Sequence, residues 1–147
     1  MVNLQRETYK GVIEELKPLL MKHWEEIAHY KDIPLDPAYE VYQSIEDKGA
    51  LRMFTARDDG GRIVGYSVFF RGSLHYKGFN TFAQDVLFVL PEYRGRLGYR
   101  LIRFCDEQLK AEGAQVVYHH VKLQHDFGPL LKRMGYEPID VIYGRRL

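Results

Sequence analysis

The run LPEYRGRLGYRLIRF, residues 90–104, sets Arg94, Gly95, Arg96 and Gly98 between an apolar stretch of strand character and one of helical character. A helix beginning just after such a loop exposes backbone N–H groups that lack intrahelical partners, and glycines let a ligand approach that backbone closely. Helix ends of this kind bind phosphate, and the two arginines would add charge-assisted hydrogen bonds to the same anion. The competing reading is an ordinary surface turn carrying two solvated arginines. Neither common nucleotide fingerprint is present. No Gly-Lys-Ser/Thr ends the loop, and the glycines do not fall at the first, third and sixth positions of a dinucleotide motif.

Other reactive residue types are placed less tellingly. Asp85 breaks the apolar run TFAQDVLFVL, where a buried carboxylate would be costly without partners, so it belongs either in a cleft or on a solvent-facing strand position. His119 and His120 are adjacent on an expected strand and therefore face opposite sides, which argues against a shared metal site even with His125 and Asp126 nearby; no metal is expected. Cys105 is the only cysteine and reads as a small core residue, unable to form an internal disulfide.

The elements that must position these residues follow from periodicity. Apolar residues from Tyr9 to Ile27 recur every three or four positions, the period of an amphipathic helix, with Pro18 predicting a kink or two short helices. Another helix is expected with Asp36 as its cap, Pro37 at its first position and Gly49 at its end. LRMFTAR and RIVGYSVFF, joined by the turn signal DDGG, predict two antiparallel strands, and TFAQDVLFVL a third that ends at Pro91. Leu97, Leu101, Ile102, Cys105 and Leu109 mark a helix stopping near Gly113, before a strand over QVVYHHV. A short helix in FGPLLKRM and a last strand through PIDVIYG complete the order.

Composition bounds the rest. With 147 residues, 46% hydrophobic and 14% aromatic, the chain has the size and apolar content of one domain spanning 1–147. Its 21 basic and 20 acidic residues leave a formal charge of +1, without a basic stripe, which disfavours nucleic acid or an anionic membrane as partner. The polar start MVNLQRETYK lacks the pattern of a signal peptide and no apolar run reaches the roughly 18 residues of a spanning helix, so a cytoplasmic location is expected.

FVLPEYRGRLGYRLIRF, followed by Gly113, a strand and LLKRMGYEP, resembles the GNAT superfamily of N-acetyltransferases, and most closely its small phage and prophage-type members. The order of elements agrees along nearly the whole chain. The resemblance implies an α/β fold whose central, mostly antiparallel sheet has one parallel, splayed strand pair and helices on both faces. It also implies acetyl-coenzyme A as co-substrate, with Leu87, Phe88 and Val89 meeting the pantetheine arm and Arg94, Gly95, Arg96, Leu97, Gly98 and Tyr99 forming the pyrophosphate cradle. Gln124 falls where the superfamily often has an asparagine near the coenzyme. The loop departs from the usual Arg-Gly-x-Gly-x-Gly pattern. A one-residue deletion, aligning Leu97-Gly98 with the customary Ile-Gly, keeps Leu101 and Ile102 facing the core and shortens the cradle.

Acetyl transfer to an amine needs a neutral amine, a donor for the developing oxyanion and, preferably, a proton for the departing thiolate. The resemblance makes Asp85 the expected base, with Glu92 a weaker choice. The tyrosine usual in the last short helix is replaced by Leu131, so Tyr136 is the expected substitute acid, beside Tyr99, Tyr118 and Tyr143. The acceptor implied is a small-molecule or peptide amine, handled by a monomer or homodimer. The alternative is a non-catalytic acyl-coenzyme A-binding or protein-interaction module of the same fold, which Leu131 and the irregular loop favour.

Overall fold

The computed structural model describes residues 1–147. Five strands form one sheet in the order β1 (Asn3–Glu7), β2 (Leu51–Arg57), β3 (Ile63–Arg71), β4 (Thr81–Val89) and β5 (Val116–Tyr118). The first four pair antiparallel, and β4 pairs with β5 in parallel. Helices α1 (Tyr9–Ile27) and α2 (Tyr39–Asp47) cover one face, α3 (Arg96–Ala111) covers the other, and the short α4 (Gly128–Arg133) follows β5.

Strand alternation divides the core into two layers. On the α1 side, Tyr9, Val12 and Leu16 pack with Met53, Tyr66, Val68 and Phe88. On the α3 side, Leu97, Leu101, Cys105 and Leu109 pack with Phe54, Val64, Phe69 and Phe82. Each large apolar side chain among these contributes roughly 1.5–3 kcal/mol by leaving water. The layers fix the sheet between the helices, so that the C-terminal ends of β4 and β5 are presented to both.

Pro18 does not split α1 into two helices: one helix runs from Tyr9 to Ile27, with Pro18 on its exposed side, where the Glu14 carbonyl that lacks its N–H partner faces solvent. The second helix begins at Tyr39 rather than Pro37, and Asp36 does not cap it. NLQRE forms the edge strand β1 although its side chains are mostly polar, because only one of its edges pairs. PIDVIYG forms no strand. Its Ile139, Val141, Ile142 and Tyr143 are exposed, with no neighbouring strand to use their β propensity. QVVYHHV is strand only over Val116–Tyr118. No helix is long and apolar enough to cross a membrane.

Candidate active site

The site starts with a defect in β4. Val86 pairs with Val68 and Gln84 with Phe69, so Asp85 is the extra residue of a β-bulge. Without it, Asp85 and Val86 would point to opposite faces. With it, both line the same cavity on the α1 side. Beyond the bulge β4 also loses β5, since their pairing covers only Thr81–Ala83 opposite Val116–Tyr118. Gln84 props the opening, its side-chain oxygen accepting the N–H of His120 at 2.8 Å.

The backbone facing that opening follows from hydrogen-bond alternation. The Leu90 N–H donates to the Val64 carbonyl, so Phe88 and Val86 also spend their main-chain groups on β3, and those of Leu87 and Val89 face the gap. The three residues expected to meet the pantetheine arm therefore differ. Leu87 and Val89 offer backbone to the gap, whereas Phe88 offers a buried ring stacked 4.9 Å from His23. The Val89 carbonyl already accepts from Arg94 Nε at 2.9 Å.

Gly95 stands as the N-cap of α3 with φ +98°, a conformation that favours glycine, and contributes no side-chain cap. The N–H groups of Arg96, Leu97 and Gly98 find no acceptor in the protein. A Cβ added at Gly95 or Gly98 would meet nothing within 4 Å, so the space before these amides is open. Leu97 is buried in the α3 core layer and Tyr99 is 41% exposed. These residues fit a pyrophosphate, with the amides of residues 96–98 as its donors.

The two loop arginines are not equivalent. Arg94 turns inward, holding Val89 and donating from Nη2 to Glu26 of α1 at 2.5 Å, with its guanidinium over Phe88. It ties the end of β4 to α1. Arg96 is exposed and makes no hydrogen bond or ion pair within the chain.

Asp85 is exposed at the cavity wall, and its Oδ2 accepts from the Tyr42 hydroxyl at 2.5 Å. Burial, followed by the Asp85 hydrogen bond, holds the Tyr42 hydroxyl well above its ordinary pKa, so Tyr42 stays protonated and keeps Asp85 oriented. His23 lies deeper in the wall, 3.3 Å from the Tyr66 hydroxyl, and burial lowers its pKa to about 4, leaving it neutral near pH 7. From the sequence Tyr66 belongs to an aromatic cluster read mainly as core and in part as acceptor-site lining, Tyr42 to the buried side of its helix, and His23 carries no assignment. Their positions on apolar helix and strand faces mark them as core, and only the packing of α1 and α2 over the bulge shows their polar tips meeting.

Tyr136 is absent from this cavity wall. Its hydroxyl donates to Asp106 of α3 at 2.5 Å, beside a separate shallow groove lined by Met134 and Val117. Burial and the Asp106 carboxylate raise its pKa. Leu131, in α4, is 6% exposed and packs as an apolar residue. Gln124 joins its side chain to His29 beyond the end of α1 at 2.7 Å. His119 is enclosed by Phe69, Phe127 and Tyr136, with neither ring nitrogen hydrogen-bonded, and burial lowers its pKa to about 4.

Residues 13–136 match the acetyltransferase (GNAT) family. Among solved structures, a ribosomal-protein-alanine N-acetyltransferase from Brucella melitensis aligns with TM-score 0.74 and 18% identity, covering 99% of each chain. An aminoglycoside acetyltransferase from an uncultured soil metagenomic sample, solved with sisomicin, aligns at 0.74 and 18%, covering 99% of this chain and 96% of that one. A predicted acetyltransferase from Clostridium acetobutylicum, solved with acetyl-CoA, aligns at 0.73 and 11%, covering 99% and 96%. These identities carry the fold alone. No protein of curated function matches the sequence. The chain belongs to the acetyltransferase (GNAT) family.

Proposed function

We propose that this GNAT N-acetyltransferase transfers the acetyl group of acetyl-coenzyme A to a primary amine held beside Asp85, and that its nearest kin are the small phage and prophage-type proteins its loop resembles. The observation that carries the residue assignment is the bulge. It turns a carboxylate into the cavity at the point where β4 parts from β5, so acceptor and thioester have a common meeting place.

Each step falls to a group with the matching chemistry. The amides of Arg96, Leu97 and Gly98 receive the pyrophosphate, and Arg96 adds charge. Arg94 is a positioning residue that holds β4 against α1. Leu87 and Val89 present main-chain groups to the pantetheine arm, and the Leu87 N–H is aimed at the oxyanion that develops on the thioester carbonyl. Asp85, oriented by Tyr42, takes the ammonium proton directly or through water, so that the amine attacks with a free electron pair. The carbon–nitrogen bond forms and the carbon–sulfur bond breaks, leaving coenzyme A as thiolate. Tyr136 keeps its hydroxyl on Asp106, and the thiolate leaves without it.

A coenzyme A-release assay over amines, run beside calorimetric titration of acetyl-coenzyme A, tests this reading. Binding at one site per chain with amine-dependent release supports it. Binding with no release for any amine would favour the non-catalytic acyl-coenzyme A module.

A further inference from the structure

We propose that the acceptor is a monoamine with an apolar body, aromatic or branched aliphatic, and that polyamines and aminoglycosides are poor acceptors. This rests on the acetyl-transfer reading of the Asp85 site and adds the class of molecule it admits.

The cavity holding Asp85 has a volume of about 440 Å³ and lies between α1, the linker leading to α2, α2 itself and the sheet. That volume lies within the roughly 300–1,000 Å³ of small-molecule sites. Fifteen of its 22 lining residues are hydrophobic, among them Ile13, Leu20, Trp24, Ile33, Tyr39 and Val68. Its formally charged lining is sparse: the carboxylates of Asp36 and Asp85 and the ammonium of Lys122. Two negative charges against one positive leave a net of one negative charge, matched by a single ammonium.

The place for that ammonium is specified. Asp85 has one oxygen on Tyr42 and a second free to take a proton, and the Tyr42 ring stacks on Tyr9 with centroids 5.6 Å apart. A cation beside Asp85 meets the carboxylate, while the remainder of the molecule meets the largely apolar wall. Asp36 is the only other carboxylate in the wall, so the third ammonium of a polyamine would be desolvated against apolar side chains without a partner, and Lys122 repels the second as well. The many hydroxyls of an aminoglycoside would also lose water without gaining partners.

The test compares kcat/KM for phenethylamine and isopentylamine with that for spermidine and kanamycin, and measures calorimetric binding of each with and without coenzyme A. The expected result is at least a tenfold preference for the apolar monoamines. Leu20→Trp, which narrows the wall, should lower kcat/KM for phenethylamine at least tenfold more than that for ethylamine. Lys122→Glu, at an exposed position, should raise kcat/KM for spermidine several-fold. A wild-type preference for spermidine or kanamycin would overturn the acceptor class while acetyl transfer stands. Apolar monoamines that bind tighter than spermidine without acetylation would keep the class and remove the transfer reading. Monoamines neither acetylated nor bound would overturn the class.

Discussion

At the start of α1 the early amides have acceptors: Thr8 Oγ1 takes the N–H of Gly11 at 3.1 Å, and the Glu46 carboxylate takes those of Tyr9 at 2.7 Å and Lys10 at 3.2 Å. At the start of α3 those of Arg96, Leu97 and Gly98 have none, and glycines on either side keep the space before them open. Both ends carry the same partial positive charge. In α1 it is neutralised by a threonine and by a glutamate from α2, which fastens the two helices together. In α3 it is left without an acceptor. One helix end is spent on stability, and the other is the open end to which the proposed function assigns the pyrophosphate.

Substituting Gly98 by Asp separates the two uses most sharply. A carboxylate in the first turn of α3 sits where phosphate would, and acetyl-coenzyme A affinity should fall on the order of a hundredfold, equivalent to about 3 kcal/mol. Thermal stability should hold or rise, because the side chain meets open space and favours the helix dipole. Calorimetry and a melting curve on the same sample read both quantities.

Acid should weaken the fold through groups at neither helix end. His23 and His119 are held near pKa 4 by burial, against the usual 6.5, so below pH 6.5 the unfolded chain takes up protons that the folded chain refuses. Stability that is fully present above pH 6.5 is lost as pH falls towards 4, by up to about 3 kcal/mol for each histidine. His119→Leu should remove about half of that loss in pH-dependent urea unfolding, and should not destabilise at pH 7, since it removes two buried nitrogens that lack hydrogen-bond partners.

The arginines sharpen the contrast at α3 itself. Arg96→Ala should weaken acetyl-coenzyme A roughly tenfold and leave the melting temperature unchanged, having removed one charge-assisted contact to phosphate. Arg94→Ala should lower the melting temperature, because the Val89 carbonyl and Glu26 lose their donor together. The smallest effect belongs to α1: Thr8→Ala should cost about 1 kcal/mol in denaturant unfolding and leave coenzyme affinity untouched.

What the sequence disclosed was local in origin. Gly95, Leu97, Gly98 and the apolar period of α3 sit within one short run, so loop and helix could be read together. Arg94 and Arg96 look alike in that run, and the difference between them is set by Glu26, 68 positions away. The bulge was hidden because VLFVL after Asp85 is apolar at every position and Gln84 and Asp85 before it are both polar, so alternation gives no register. Tyr42 was legible as a buried position of α2, but not as a hydrogen-bond partner, since that depends on where α2 crosses β4. Tyr136 was assigned by its place after Gly135, and Asp106, which claims its hydroxyl, belongs to another helix.

The most direct measurement of the central claim is the pH profile of kcat for wild type and Asp85→Asn with phenethylamine. With Asp85 as base, Asp85→Asn should lower kcat by roughly 10²–10⁴-fold near pH 7 and keep acetyl-coenzyme A affinity within twofold. The deficit should shrink as pH rises towards the roughly 10.4 typical of an alkylamine, because the free amine then needs no base. A deficit that is constant across pH, or one matched by an equal loss of coenzyme binding or folding, would contradict the assignment of Asp85 as the proton acceptor.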